Sequence, residues 1–356
     1  MNLDDLRNKI DEADAQIVRL IAERLRIAED IGKNKREHGN QIEDKGRERV
    51  VLDNVKALAR KENISSEDVE DIYQRIVRIS KSRQGVTVAF QGETGAYSEE
   101  AALRFFGSTI TALPCESLED VFKLVEHGEA QNAIVPVENS LEGSISRTYD
   151  LLLDSDLMVC GEVELRVSHC LIANPGARLD LIKSVYSHPQ ALGQCRSFLR
   201  HLGCEMVPIQ DTAGSVRMVK EQGKTDIAAI AGARAAEIYG MQILAREIED
   251  NQNNFTRFFV LSKQAAPPSG NDKTSIVFSV RHKPGALYQA LTEFAVRNVN
   301  LTKIESRPTR QKAWEYNFYL DFQGHREDKE PQEVLEILAE TTIFVKVLGS
   351  YPKAKS

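Results

Sequence analysis

No proline precedes Pro114 in this chain of 356 residues, so nothing in its opening stretch forces a helix to break. The five cysteines, Cys115, Cys160, Cys170, Cys195 and Cys204, are odd in number and never spaced C-x-x-C. That pattern fits free thiols in a reducing compartment. Seven histidines are scattered with no H-E-x-x-H, so no metal site is expected. No apolar run approaches the roughly 20 residues that span a bilayer. The charged start, MNLDDLRNKIDEAD, lacks the apolar core of a signal peptide. The expectation is a cytoplasmic protein with no membrane partner. A net charge of -7 argues against nucleic acid as a partner.

What is present divides into segments of different period, as the length requires, since one core rarely serves so long a chain. Residues 1–85 carry 18 Lys/Arg and 18 Asp/Glu, so the remainder holds the whole acidic excess. Leu3, Leu6, Ile10, Ala13, Ile17, Leu20, Ile27 and Ile31 fall at steps of mostly three or four. This spacing predicts one helix over about residues 3–37, roughly 50 Å long. Two shorter helices, near 44–62 and 66–83, cannot cover such a stripe. A second copy of the chain is expected to cover it, in an intertwined helical dimer.

From Val86 short β-rich runs (VTVAF, TITAL, NAIVPV, SVYS, IAAIA, FFVLS) alternate with helical stretches. Alternation of this kind predicts an α/β domain over 86–263 with largely parallel sheets and a ligand crevice at the strand ends. The run QAAPPSGND, 264–272, reads as a linker. Beyond it, residues 273–356 follow the order β-α-β-β-α-β of a ferredoxin-like unit.

Charged residues interrupt the helical stripe. Arg24 follows Leu20 by four, and Lys35 follows Ile31 by four. Eleven residues separate them, close to three turns, so they line up about 16 Å apart on the packed face. Asp44, Arg47 and Glu48 precede the stripe of the second helix, and Ser80 and Gln84 continue that of the third. Buried charges cost several kcal/mol each unless paired, so a doubly negative ligand explains the set. Snorkelling side chains or interhelical ion pairs are the alternative.

The motifs L-R-N-K-I-D, A-E-R with G-K-N-K, and D-K-G-R-E-R resemble the all-helical chorismate mutases across 1–85. The resemblance implies a cationic cage of Arg7, Arg24, Lys35, Asp44, Arg47, Glu48, Ser80 and Gln84, with chorismate as substrate. The pericyclic shift needs no nucleophile, only a held conformer and stabilised ether oxygen. Arg7, Arg24 and Arg47 suit carboxylates, because guanidinium offers a bidentate fork. Lys35 and Gln84 then donate to the ether oxygen, while Glu48 and Asp44 bind the ring hydroxyl or orient neighbours. Arg7 and Arg24 stand roughly 26 Å apart on one helix, so Arg7 is expected to serve the partner subunit's site.

In the middle segment, QGETGAYS from Gln91 opens a helix after a strand, a weak anion-binding signal. His188 and Cys195 share one short segment with no orienting acid or amide, so turn and packing roles are expected rather than a nucleophilic pair. N-F-T-R-F from Asn254 and Y-S-H-P-Q…Q-C from Tyr186 resemble the prephenate dehydratases over 86–263. The resemblance implies two α/β lobes of the periplasmic-binding-protein kind around a cleft, with Thr256 as the catalytic hydroxyl. Asn139, Ser187, Gln194 and Arg257 are the further substrate-binding candidates, with a structural ion pair as the alternative for Arg257. The run GALY from Gly285 and the run ESRP from Glu305 resemble the ACT regulatory domain over 273–353. This implies phenylalanine as effector at Gly285, Ala286, Leu287, Glu305, Ser306 and Arg307. No cofactor is implied, and the choice of dimer or tetramer stays open. Two other readings remain at this point: a sensor that binds an aromatic metabolite without transforming it, and an enzyme acting on arogenate.

Overall fold

The computed structural model describes residues 3–37, 45–62, 64–84, 86–108, 110–309 and 315–354; side chains at 3, 29, 32–37, 45–49, 74, 78, 79 and 81–84 are not described. The N-terminal unit is helical, with α1 (Leu3–Glu37), α2 (Lys45–Lys61) and α3 (Ser66–Gln84). Helix α1 runs for 35 residues, in keeping with the helical phase of its stripe. The start of α3 is capped by Ser65, whose Oγ accepts from the Asp68 amide at 3.3 Å. Lys56 and Glu70 pair at 2.8 Å between α2 and α3, and Ala28, Val55 and Ala59 are buried. By contrast, Leu6, Ile10, Ile17 and Leu20 are 44% to 65% exposed in the single chain.

Most of the rest of the chain forms a second compact unit. Its first lobe contains β1 (Thr87–Gln91), α4 (Tyr97–Phe106), β2 (Thr111–Cys115), α5 (Leu118–His127), β3 (Asn132–Asn139), β4 (Gly143–Ser144), α6 (Ser146–Asp154) and β5 (Met158–Arg166). The chain then crosses to a second lobe. There lie β6 (Cys170–Ala173), β7 (Ser184–Ser187), α7 (Pro189–Gln194), α8 (Arg196–Leu202), β8 (Glu205–Pro208), α9 (Thr212–Gln222), β9 (Ile227–Ala231), α10 (Ala233–Tyr239) and β10 (Gln242–Ala245). It returns to the first lobe through β11 (Phe255–Ser262).

The two lobes have sheets in the orders β2-β1-β3-β11-β5 and β10-β6-β9-β7-β8. Both sheets are mixed, which corrects the expectation of largely parallel ones. Strands β5 and β11 are the outgoing and returning crossings between the lobes, so they lie antiparallel side by side. Each lobe has an alanine- and valine-rich core of its own.

The terminal module comprises β12 (Asp272–Ser279), α11 (Ala286–Val296), β13 (Leu301–Pro308), β14 (Tyr316–Gln323), α12 (Lys329–Thr341) and β15 (Phe344–Pro352). Its antiparallel sheet has the order β13-β14-β12-β15, the ferredoxin-like arrangement read from the sequence. One face packs Ile276, Phe278, Leu320 and Phe322 against Phe294 and Leu338 of the two helices. The other face places Val277, Tyr319, Leu348 and Tyr351 in one core with Val159, Phe259 and Leu261 of the first lobe. Gly349 permits this approach: a Cβ there would stand 2.1 Å from the Val159 carbonyl oxygen. The module therefore shares a core with the dehydratase-like lobe and does not hang from its linker.

Candidate active site

In the helical unit, Arg24 is half-buried and its guanidinium donates to Ser80 Oγ, joining α1 to α3. Ser80 is buried and donates in turn to the Ile76 carbonyl at 2.8 Å. Two of the expected cage residues thus meet. Arg7 lies far along α1 in solvent, 3.4 Å from Asp4. Asp44 lies outside the described residues, and so do the side chains of Lys35, Arg47, Glu48 and Gln84, although helices run through these four positions.

A second cluster forms where β11 leaves the inter-lobe crossing. Thr256, 9% exposed, sits opposite Asn139 in the β3–β11 register. Asn139 Nδ2 lies 3.1 Å from Thr256 Oγ1, 2.7 Å from Asn254 Oδ1 and 3.2 Å from the Phe255 carbonyl. Its Oδ1 accepts from the amides of Leu141 and Glu142, so both ends of this side chain are fixed. Asn254 donates onward to Gln194 Oε1 at 3.0 Å, and His169 Nε2 reaches the same oxygen at 3.0 Å. The far nitrogen of His169 meets the Tyr97 hydroxyl at 3.0 Å, and that hydroxyl also reaches the Ser168 carbonyl at 2.7 Å.

The direction of this chain follows from its donors. Asn254 accepts through oxygen, so it donates through nitrogen, and Gln194 must accept. Burial holds the His169 pKa below its ordinary value, against weaker opposing effects of Gln194 and Glu249. A neutral His169 gives its Nε2–H to Gln194, and its Nδ1 faces the Tyr97 oxygen, whose proton goes to the Ser168 carbonyl. Two groups are left over. The Gln194 amide nitrogen makes no hydrogen bond among the described residues, and the Thr256 hydroxyl accepts from Asn139 while its own proton is uncommitted. Both are donors available to a ligand.

Two other candidates are placed differently. Arg257 follows Thr256 on the strand and so projects from the opposite face. Its guanidinium bonds Glu162 at 2.8 Å, Asp321 at 2.6 Å and the Tyr351 hydroxyl at 3.0 Å. Burial alone would raise the Glu162 pKa, but Arg257, Lys273 and the Ala354 amide outweigh it and hold the carboxyl low. Arg257 is thus engaged at the junction with the terminal sheet, the ion-pair alternative kept open for it. Ser187 is fully buried and donates to the Ile230 carbonyl at 2.7 Å, so its hydroxyl is committed to the core.

The loop of QGETGAYS closes one lobe on the other. The Glu93 amide donates to Asp211 and the Gly95 amide to Glu99, so these amides are not held open for an anion. His188 caps α7 by accepting from the Gln190 amide at 3.3 Å, and Cys195 is buried, its thiol pKa pushed up by that burial. A cavity of about 830 Å³ lies behind Tyr97 and Ser168, lined by Arg104, Arg166, Arg234 and Arg246 among others. Glu100, Glu237 and Glu247 line it too, so its charge is nearly balanced.

On the terminal module, Gly285 adopts φ +80° at the start of α11, a left-handed conformation that favours glycine. Ala286 and Leu287 are half-buried. Along β13, Lys303, Glu305 and Arg307 face inward while Ile304 and Ser306 are exposed. Arg307 bonds Asp150 at 2.9 Å, and Glu305 accepts from Ser144. The side chains of Glu305 and Arg307 are thereby engaged with the first lobe, whereas Ser306 remains on the outward face.

Sequence reasoning passed over His169, Tyr97 and Asn254. Asn254 stands two residues before Thr256, a spacing that puts both on one side of an extended chain. His169 and Tyr97 carried no comparable signal.

Three family models match in chain order: Chorismate mutase type II over residues 6–85, Prephenate dehydratase over 88–266 and ACT domain over 274–340. A bifunctional chorismate mutase/prephenate dehydratase of Aquifex aeolicus is 39% identical over 359 residues, covering 99% of this chain and 98% of its own length. The prephenate dehydratase of Arthrobacter aurescens, solved in complex with L-Phe, is similar with a TM-score of 0.70 and 34% identity, over 75% of this chain and 90% of that one. GqqA, described as a novel type of quorum quenching acylase, has a TM-score of 0.70 and 37% identity, over 75% of this chain and 97% of its own.

Proposed function

The chain belongs to the family of bifunctional chorismate mutase/prephenate dehydratases, and from that premise we propose how its residues divide the work. It rearranges chorismate to prephenate, then removes water and carbon dioxide from prephenate to give phenylpyruvate, under feedback inhibition by phenylalanine. The observation that carries the assignment of roles is the Thr256 hydroxyl, which accepts from Asn139 and has no acceptor for its own proton among the described residues.

In the dehydratase step the ring hydroxyl departs as the carboxylate leaves as carbon dioxide. Negative charge grows on the departing oxygen, and Thr256 donates a hydrogen bond to it. The Asn139 N–H on Thr256 Oγ1 polarises that hydroxyl and strengthens its donation. Formation of water takes up one proton, drawn ultimately from solvent. The Gln194 amide supplies a second neutral donor, aimed by Asn254 and His169. Neutral donors suit a floor this deeply buried, since unpaired buried charges would be costly.

In the mutase step Arg24, anchored by Ser80, holds a carboxylate of chorismate, and Lys35, Arg47, Glu48, Gln84 and Asp44 complete the cage. The active form is a homodimer through α1. Its exposed Leu6, Ile10, Ile17 and Leu20 support this, and Arg7 then enters the partner subunit's cage. The five free thiols fit a cytoplasmic setting. Phenylalanine binds at Gly285–Leu287 and Ser306. Supplying chorismate to the pure protein tests the whole reading: chorismate disappears and phenylpyruvate accumulates, while Thr256→Ala protein stops at prephenate.

A further inference from the structure

Strand β13 has two faces with separate tasks. Outward lie Ile304 and Ser306, beside the effector site proposed above. Inward, Lys303 Nζ lies 2.8 Å from Glu138 Oε2 and 2.9 Å from Ser144 Oγ, while Glu305 accepts from the same serine. Lys303 is nearly buried and also stands over the Tyr149 ring at 5.4 Å. These ions and hydroxyls grip a small hairpin of the first lobe, in which Glu138 pairs with Ser144 and Asn139 with Gly143.

That hairpin is the mount of Asn139. Its turn supplies the Leu141 and Glu142 amides that hold Asn139 Oδ1. Glu138 and Asn139 are consecutive on β3, so one faces the terminal sheet and the other faces Thr256. A shift of β13 by a few tenths of an ångström would reach Asn139 through one rigid turn. Simple adhesion between the sheets already comes from the shared core of Val277, Tyr319 and Leu348, and it does not require a buried lysine at this point.

We propose that Lys303 and Glu138 are positioning residues that carry the state of the effector strand to the Asn139–Thr256 pair. The inference rests on the proposed effector site at Ser306 and Gly285–Leu287. Its test uses the full-length chain with Lys303→Met, Glu138→Gln and Lys303→Arg, measuring phenylalanine binding by calorimetry beside dehydratase inhibition. Lys303→Met and Glu138→Gln are expected to bind phenylalanine within a few-fold of the parent yet, at saturating phenylalanine, to keep at least about tenfold more dehydratase turnover than the parent does, the size of a typical coupling. Lys303→Arg restores the response. Unchanged inhibition in both variants with phenylalanine bound overturns the relay and leaves the effector site standing. Loss of binding in step with loss of inhibition also overturns it, since Lys303 then belongs to the binding surface. A parent chain that binds no phenylalanine overturns the effector site itself, and the relay with it.

Discussion

Around Thr256 the polar partners are neutral, and one chain supplies Asn139, Asn254, Gln194 and His169 already bonded to one another. Around Arg24 the expected groups are mostly charged, and the described contact is with Ser80 alone. The difference follows from what each site must hold before substrate arrives. Amides and hydroxyls satisfy one another, so they can be assembled in a dry floor. Several cations and two acids brought together without a ligand repel or desolvate at a cost of several kcal/mol each. Such a cage is better left open to solvent, or shared between chains, until a dianion arrives.

The contrast is sharpest at Thr256. Replacing it with alanine removes the donor proposed for the departing hydroxyl, and dehydratase turnover should fall about 10²- to 10³-fold, the usual loss for a transition-state donor. Mutase turnover should stay at the parent level, followed as loss of chorismate. A parallel fall in both activities would mean that the helical unit depends on the dehydratase floor, and the contrast would collapse.

The cage is expected to behave in the opposite way. Arg24→Ala loses a charged hydrogen bond to substrate, worth about tenfold to a hundredfold in mutase turnover, with dehydratase turnover retained. Arg7→Ala alone should do similar damage. Mixed and refolded together, the two variants should regain part of the activity, because one heterodimer site keeps both arginines. A verified heterodimer with no recovery would put Arg7 outside the cage and the complete site in a single chain.

A third change probes how far the dehydratase floor depends on its backing. Gly349→Ala drives a methyl group into the β5 backbone at Val159, and overpacking of this kind costs about 1–3 kcal/mol. The urea midpoint should drop, and the Arg257 cluster on the same junction should loosen with it. Retained stability would show that β15 slides aside freely, leaving the shared core a weaker support than its burial implies.

Much of this was legible before any coordinates. The bounds of α1 could be read because its stripe keeps one phase through the charged interruptions and no proline competes. Strand β5 was missed because Gly161 and Glu162 spoil its apolar run. Both have structural reasons: a Cβ on Gly161 would stand 2.5 Å from the Phe105 ring, and Glu162 is buried to meet Arg257 and Lys273. Ser187 and Arg257 were placed at substrate by motif resemblance, which carries residue type but not direction. Strand parity alone separates Arg257 from Thr256 once β11 is recognised. No pattern of spacing could have paired His169 with Gln194, because that contact joins an inter-lobe crossing to a helix 25 residues on.

His169 gives the smallest and most specific way to test the neutral character of the floor. Its imidazole is buried beside Gln194 and Tyr97, with Glu249 accepting its backbone amide and Cys170 and Cys195 close by. Burial lowers its pKa below the ordinary value of about 6.5. Above that pH neither the folded nor the unfolded chain is protonated here, and the residue adds no pH dependence. As pH falls through the ordinary value, the unfolded chain takes up a proton that the folded chain refuses, so stability is lost until the folded group itself titrates. A His169→Gln chain lacks this proton. Denaturant melts of both chains at pH 7.5 and 5.5 should therefore show a steeper acid loss in the parent. Parallel losses would mean that His169 is protonated in the fold, donating from both nitrogens, and the Thr256 network would then contain a charge after all.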